Sequence, residues 1–317
     1  MRISRQRSSG SGWPHLHVLG AMAIVSLAVV PGVLLADPGD ALDTGGGGSA
    51  RRYLVHARAA MEQGRLTEAL TECDRAIADY PTYMRAHFDR GRALLAGGQN
   101  DAAIAEFTTV LAAHPEYPMV YVFRGTAYLR ARRTSEAIVD LNRAVQAQVG
   151  IGPVMYAHTL VIRSLAWELL GEADPALADF DHGMRAINGD TFNDYKVLND
   201  RCYTAAIVGL LDSAGESCDE SISRHPRDES VYDSRGMVDL MSHKWDQAIA
   251  DYTQALYYRP ELPTSLYGRG LAKRAKGDSA GAASDIAVAQ QGEPHIVDIM
   301  ARLGVPASVT EKVAKSK

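Results

Sequence analysis

An all-α array of about seven helix-turn-helix repeats is predicted by three features of the 317-residue sequence. Prolines recur at a fixed interval: Pro81 and Pro115 are 34 residues apart, and so are Pro226, Pro260 and Pro294. Small residues keep the same period, with Gly91 leading to Gly125, Gly236 to Gly270, and Ala69 to Ala103 and Ala137. Composition supplies the third feature, since 46% apolar residues suit a folded chain and are too many for a disordered one. The 28 glycines and 13 prolines exclude collagen-like and low-complexity classes. A period of this length holds two helices that cannot bury their apolar faces alone, so neighbouring repeats must supply the core.

The elements follow from the register. Placing each proline at position 32 gives repeats 50–83, 84–117, 118–151, 157–190, 195–228, 229–262 and 263–296, with inserts at 152–156 and 191–194. Position 8 is small because helices A and B approach closest there, and positions 20 and 27 are small so that the next helix A can nest against helix B. The proline stops helix B, because it lacks an amide donor and restricts the residue before it. The segment 297–317 opens with Val297, Ile299, Met300 and Leu303, which continue from Ile296 at helical spacing as a capping helix for the open end of repeat 7. Lys312, Lys315 and Lys317 then form a solvated tail.

Repeat 6 is the clearest copy, with Tyr232, Gly236, Trp245, Ala248, Tyr252, Ala255 and Pro260 at its pattern positions, and repeat 2 follows with Gly91, Ala103, Phe107 and Pro115. On these residues the sequence resembles the tetratricopeptide-repeat family over nearly all of 50–296. The resemblance implies a right-handed solenoid whose concave groove, lined from helix A, holds a peptide or a partner protein. Carried onto this sequence, the groove residues are Arg85, Phe88 and Arg92 of repeat 2, and Met119, Val122, Thr126 and Arg130 of repeat 3. The middle contributes Lys196, Asn199 and Tyr203, and the C-terminal part Asp233, Met237, Met241, Tyr267 and Arg274. Leu54 and Arg58 stand where some family members carry a Lys/Asn clamp for peptide carboxylates, which disfavours a chaperone-tail cochaperone role.

Position 7 is arginine in six repeats (Arg90, Arg124, Arg163, Arg201, Arg235, Arg269) and position 23 is acidic in six (Glu72, Glu106, Asp140, Asp179, Asp251, Asp285). This pattern predicts structural ion pairs, either within a repeat or to the next one. Repeat 5 departs from the pattern, with Cys202 at position 8 and Cys218 at position 24, which face one another across the helix pair. They are a candidate disulfide in an oxidising compartment and two small buried thiols otherwise; Cys73, opposite Ala57, follows the second pattern.

Residues 1–36 place Arg2, Arg5 and Arg7 ahead of an uncharged run, Leu16–Ala36, the order of a signal peptide or, uncleaved, an N-terminal signal anchor. Residues 37–49 are Gly-rich and read as a flexible linker. The expected location is outside the cytoplasm, periplasmic or secreted, with membrane contact only through an uncleaved leader. Beyond the leader the chain carries 30 basic against 38 acidic residues, which offers no electrostatic footprint for nucleic acid. The ten histidines show no metal-ligand spacing, and no nucleophile elbow or phosphate-binding loop occurs, so neither catalysis nor a cofactor is expected. The sequence therefore predicts a non-catalytic interaction scaffold of the cell envelope or a secretion process. A self-associating stalk and an accessory subunit of an enzyme complex are the alternatives.

Overall fold

The computed structural model describes Leu42 and residues 47–147, 151–187 and 194–305. The leader 1–36 and the tail 306–317 lie outside the described residues. Fifteen helices and no strand are present among the described residues. Repeats 1 to 3 are α1 (Gly48–Glu62) with α2 (Leu66–Asp79), α3 (Met84–Ala96) with α4 (Asn100–Ala113), and α5 (Pro118–Arg130) with α6 (Thr134–Gln146). Repeats 4 and 5 are α7 (Gly152–Leu169) with α8 (Ala173–Ala186) and α9 (Asp194–Ile207) with α10 (Leu211–Arg224). Repeats 6 and 7 are α11 (Glu229–Met241) with α12 (Trp245–Tyr258) and α13 (Pro263–Ala275) with α14 (Ser279–Gly292), and α15 (Ile296–Arg302) follows. No helix of the described residues is long and apolar enough to cross a membrane.

Local chemistry accounts for the boundaries. Helices α2, α4, α10, α12 and α14 each end two residues before the proline at position 32. Every A–B turn places position 15 in the left-handed region, at Gly64, Gly98, Arg132, Gly171, Gly209, His243 and Gly277. Five are glycines, which adopt this conformation without steric cost. Position 8 is small for the expected reason: a Cβ on Gly91 would lie 2.6 Å from the Phe107 ring, and one on Gly236 2.9 Å from Tyr252.

Three boundaries differ from the sequence reading. The insert 152–156 is helical, because Pro153 in the first turn of α7 starts that helix early and lengthens it to 18 residues. Gly48 and Ser49 belong to α1 instead of the linker, with the Ser49 hydroxyl donating to Asp79 at 2.5 Å. Leu42 is 1% exposed, within the core cluster of Phe88, Phe107 and Phe123, so this linker residue is packed, not solvated.

The arginine ladder pairs within repeats. Arg124 Nε and Nη2 donate to the two carboxylate oxygens of Asp140 at 2.7 and 2.9 Å, and Arg163–Asp179, Arg235–Asp251 and Arg269–Asp285 repeat this fork. Arg90 reaches Glu106. A second arm, unforeseen in the sequence, reaches position 25 of the preceding repeat: Asp74 from Arg90, Thr108 from Arg124, Asn142 from Arg163, Asp219 from Arg235 and Thr253 from Arg269. Each arginine thus ties its own helix pair to the previous helix B, the interface on which a repeat array depends. In repeat 5, where Ser217 replaces the acid, Arg201 donates to Ser217 and to the Ser213 carbonyl and pairs with Glu168. In repeat 1, which lacks the arginine, Glu72 takes Arg75.

The array curls until its end meets its beginning. Glu293, 1% exposed, accepts from the Thr67 hydroxyl at 2.6 Å and the Thr67 amide at 3.2 Å. Arg302 Nε donates to the Gly97 carbonyl at 2.8 Å, and Arg259 donates to the Glu62 carbonyl. Helix α15 therefore does more than close the end of repeat 7. It packs on α13 and α14 and also bridges to repeats 1 and 2.

Candidate functional site

The A helices of successive repeats touch one another along the inner side of the array, and the expected groove residues lie on α3, α5, α9, α11 and α13. The structure buries Arg85, Phe88, Arg130, Asn199, Tyr203, Met237 and Tyr267 there, and half-buries Arg92, Met119, Lys196, Asp233, Met241 and Arg274. Val122 and Thr126 depart from the expected lining. Val122 packs with Ala144, Ile151 and Met155 between repeats 3 and 4, and the buried Thr126 hydroxyl donates to the Val122 carbonyl. The expected open groove is a mostly filled inner face.

Its N-terminal half is built around a residue that sequence reasoning passed over. Asp89 is 0% exposed, and its carboxylate takes Arg58 at 2.8 Å and Arg85 and Arg92 at 3.2 Å. Burial alone would raise its pKa, but the three guanidiniums outweigh that and hold it below the usual carboxylate range. The same burial pulls Arg92 down from its ordinary value. The Arg92 guanidinium lies 5.8 and 5.7 Å from the Phe88 and Phe123 ring centres, two cation–π contacts that replace part of its lost hydration. Further along, Arg130 donates to the Leu95 carbonyl at 3.2 Å and sits 5.1 Å from the centre of the Tyr203 ring. The available signal for Asp89 was an acid at position 6, shared only with Asp200 of repeat 5, where the other repeats carry Val55, Phe123, Ile162, Ser234 and Gly268.

The C-terminal half is acidic and partly apolar. Asp233 accepts from the Thr264 hydroxyl at 3.1 Å and from Ser265, and it borders a small void with Tyr203, Ser230, Ile296, Ile299 and Leu303. Burial pushes the Asp233 carboxyl up to about 6, and burial with the Asp228 charge beside it pushes Glu229 up to about 7. Both acids hold a proton in the folded chain over a range where the unfolded chain has lost it, so folding stability falls as pH rises through that range. Stability is therefore expected to increase as pH drops from about 7.5 to about 5, and to fall again below about 4 as the depressed carboxylates, Asp89 among them, protonate. Asp233→Asn should flatten the upper part of this profile; an unchanged slope in melting temperature against pH would refute the assignment.

Cys202 and Cys218 are joined across α9 and α10 with their Cα atoms 5.3 Å apart, whereas Cys73 is a buried free thiol. Among the described residues no group of three His, Cys, Asp or Glu side chains is placed to hold a metal ion.

Paired antiparallel helices stacked in series around a continuous inner face define a helical repeat scaffold. The family described as tetratricopeptide repeat matches residues 54–118, 88–150 and 235–294, and the chain belongs to it. Solved structures similar to it include a tetratricopeptide repeat protein from Parabacteroides merdae, at 19% identity over 81% of this chain and 99% of that one, with a TM-score of 0.44. Another is the APC/C hetero-tetramer Cut9-Hcn1, at 15% identity over 88% of this chain and 53% of that one, with a TM-score of 0.45. No curated protein matches the chain.

Proposed function

We propose that this protein is an exported, non-catalytic scaffold that holds a peptide or partner protein on its inner face, in the cell envelope or a secretion process. The observation that carries the reading is that the inner face already buries a helix, α15, among Leu66, Ala96, Tyr203, Met237 and Tyr267. A surface of Met, aromatic and arginine side chains has the composition of a protein contact. Export is supported by the arginine-led apolar leader and by the Cys202–Cys218 pair, since such bonds persist in oxidising compartments.

Photo-cross-linking on the intact exported protein tests the partner reading. A probe at Met241 on the inner face should trap a defined partner that a probe at the exposed Tyr257 does not. Trapping from Tyr257 alone would place the interface elsewhere. Thiol counting on the unreduced, denatured protein should return one free thiol, Cys73; three would refute the bridge. Cys202→Ser with Cys218→Ser should then cost about 3 kcal/mol at most, since the loop closed is short.

A further inference from the structure

The least expected contact is the seam between the first and last repeats of the array. In a repeat array each unit contacts its sequence neighbours, and the stacking interfaces carry the stability. The seam stands apart from this: Glu293 meets Thr67, Arg302 meets Gly97, and Arg259 meets Glu62, pairs separated by 226, 205 and 197 residues. None of these three pairs belongs to an interface between successive repeats.

Helix α15 is the element that closes this seam. Ile296, Ile299, Met300 and Leu303, at i, i+3, i+4 and i+7, are each at most 3% exposed, and the small void beside them is bordered by Leu66, Ala96, Tyr203, Asp233 and Thr264 of repeats 1, 2, 5, 6 and 7. A cleft of about 320 Å³, partly open to solvent, lies between α15 and α2, lined by Thr67, Thr71, Asp74, Gln99, Asp298 and Arg302. The helix has only seven residues and no side-chain N-cap, and beneath it lies the carboxyl of Asp233 beside Ser230 and Thr264. A helix of two turns has little stability of its own, so α15 is helical by virtue of the apolar face it covers and the seam bonds around it.

We propose that the inner face is a docking surface for a short amphipathic helix of a partner protein, with large apolar residues at i, i+3, i+4 and i+7, and that α15 is a built-in copy of that ligand which the partner displaces. This rests on the reading of the inner face as the partner site. The occupant's chemistry is read from the helix already seated there. Its arginine at the C-terminal end reaches a backbone carbonyl of repeat 2, and a carboxylate ahead of its N-terminus caps α2.

The test uses the intact protein and a labelled synthetic peptide of residues 293–305. In the parent protein the tethered α15 competes at high effective concentration, so the peptide should bind weakly. Ile299→Asp with Leu303→Asp should release α15, enlarge the radius of gyration in solution scattering, and tighten peptide binding by roughly tenfold or more. A peptide carrying the same two aspartates should not bind. A folded variant that gains no peptide affinity, or a parent that binds the peptide as tightly as the variant, overturns the proposal. If the double variant fails to fold, Arg302→Ala, which removes only the strut to Gly97, should give a smaller gain in the same direction; no gain overturns it. Cross-linking of a partner at Met241 without any peptide effect sinks the self-ligand and spares the partner reading. A peptide effect without such cross-linking does the reverse.

Discussion

Asp89→Ala is expected to destabilise the array by about 3–5 kcal/mol, because it removes the single carboxylate on which Arg58, Arg85 and Arg92 converge. Asp89 is completely buried and the Arg85 and Arg92 side chains are 5% and 12% exposed, so water reaches little of these two cations once the carboxylate is gone, whereas Arg58, 36% exposed, is rehydrated. Electrostatics, not volume, should dominate. A double variant that also carries Arg85→Leu should therefore recover part of the loss, whereas a pure cavity effect would be made worse. Because repeat arrays unfold in parts, hydrogen exchange read repeat by repeat is the suitable measurement. Protection should collapse first in α1, α3 and α5. A loss below about 1 kcal/mol would show that Asp89 is not the keystone of this cluster.

Tyr252→Ala is expected to cost about 3–5 kcal/mol, the range for emptying a large buried aromatic site. The ring is 1% exposed and clamped between repeats: a Cβ on Gly236 would lie 2.9 Å from it, and one on Gly268 only 2.3 Å. Gly268→Ala should accordingly destabilise by about 1–3 kcal/mol through overpacking at the interface of repeats 6 and 7. Tyr252→Phe should behave differently. The hydroxyl is buried and makes no hydrogen bond, so its removal should be neutral or slightly stabilising. Thermal unfolding of the three variants checks the order, and a Tyr252→Phe loss as large as that of Gly268→Ala would overturn it.

The filled inner face also alters how variants there are read. Arg130 and Tyr267 are 5% and 1% exposed, so changing either perturbs the core as well as any partner contact. Exposed probes at the rim report on binding more cleanly than deletions at these buried positions.

Much of the fold was legible from residue types at fixed spacing. The prolines at position 32, the small residues at position 8 and the arginine–carboxylate pattern each state a contact between a repeat and itself, and such contacts recur wherever the residues recur. The facing of Cys202 and Cys218 follows from the same register. The second arm of each arginine was hidden because its acceptors, Asp74, Thr108, Asn142, Asp219 and Thr253, share polarity but no residue type. Asp89 was hidden for a related reason: an acid at its position recurs only once, as Asp200 of repeat 5, so no period marks it.

The sequence by itself determined the helix pairs, their order and the chemistry that binds each pair to the next, because those depend on neighbours within about one repeat. Only the tertiary structure decided that the curved array closes, that α15 lies on the inner face, and that residues expected to line an open groove are largely covered. Closure is the sum of small rotations over seven repeats, and it is held by pairs about 200 residues apart such as Arg302 with Gly97. No local pattern encodes that sum.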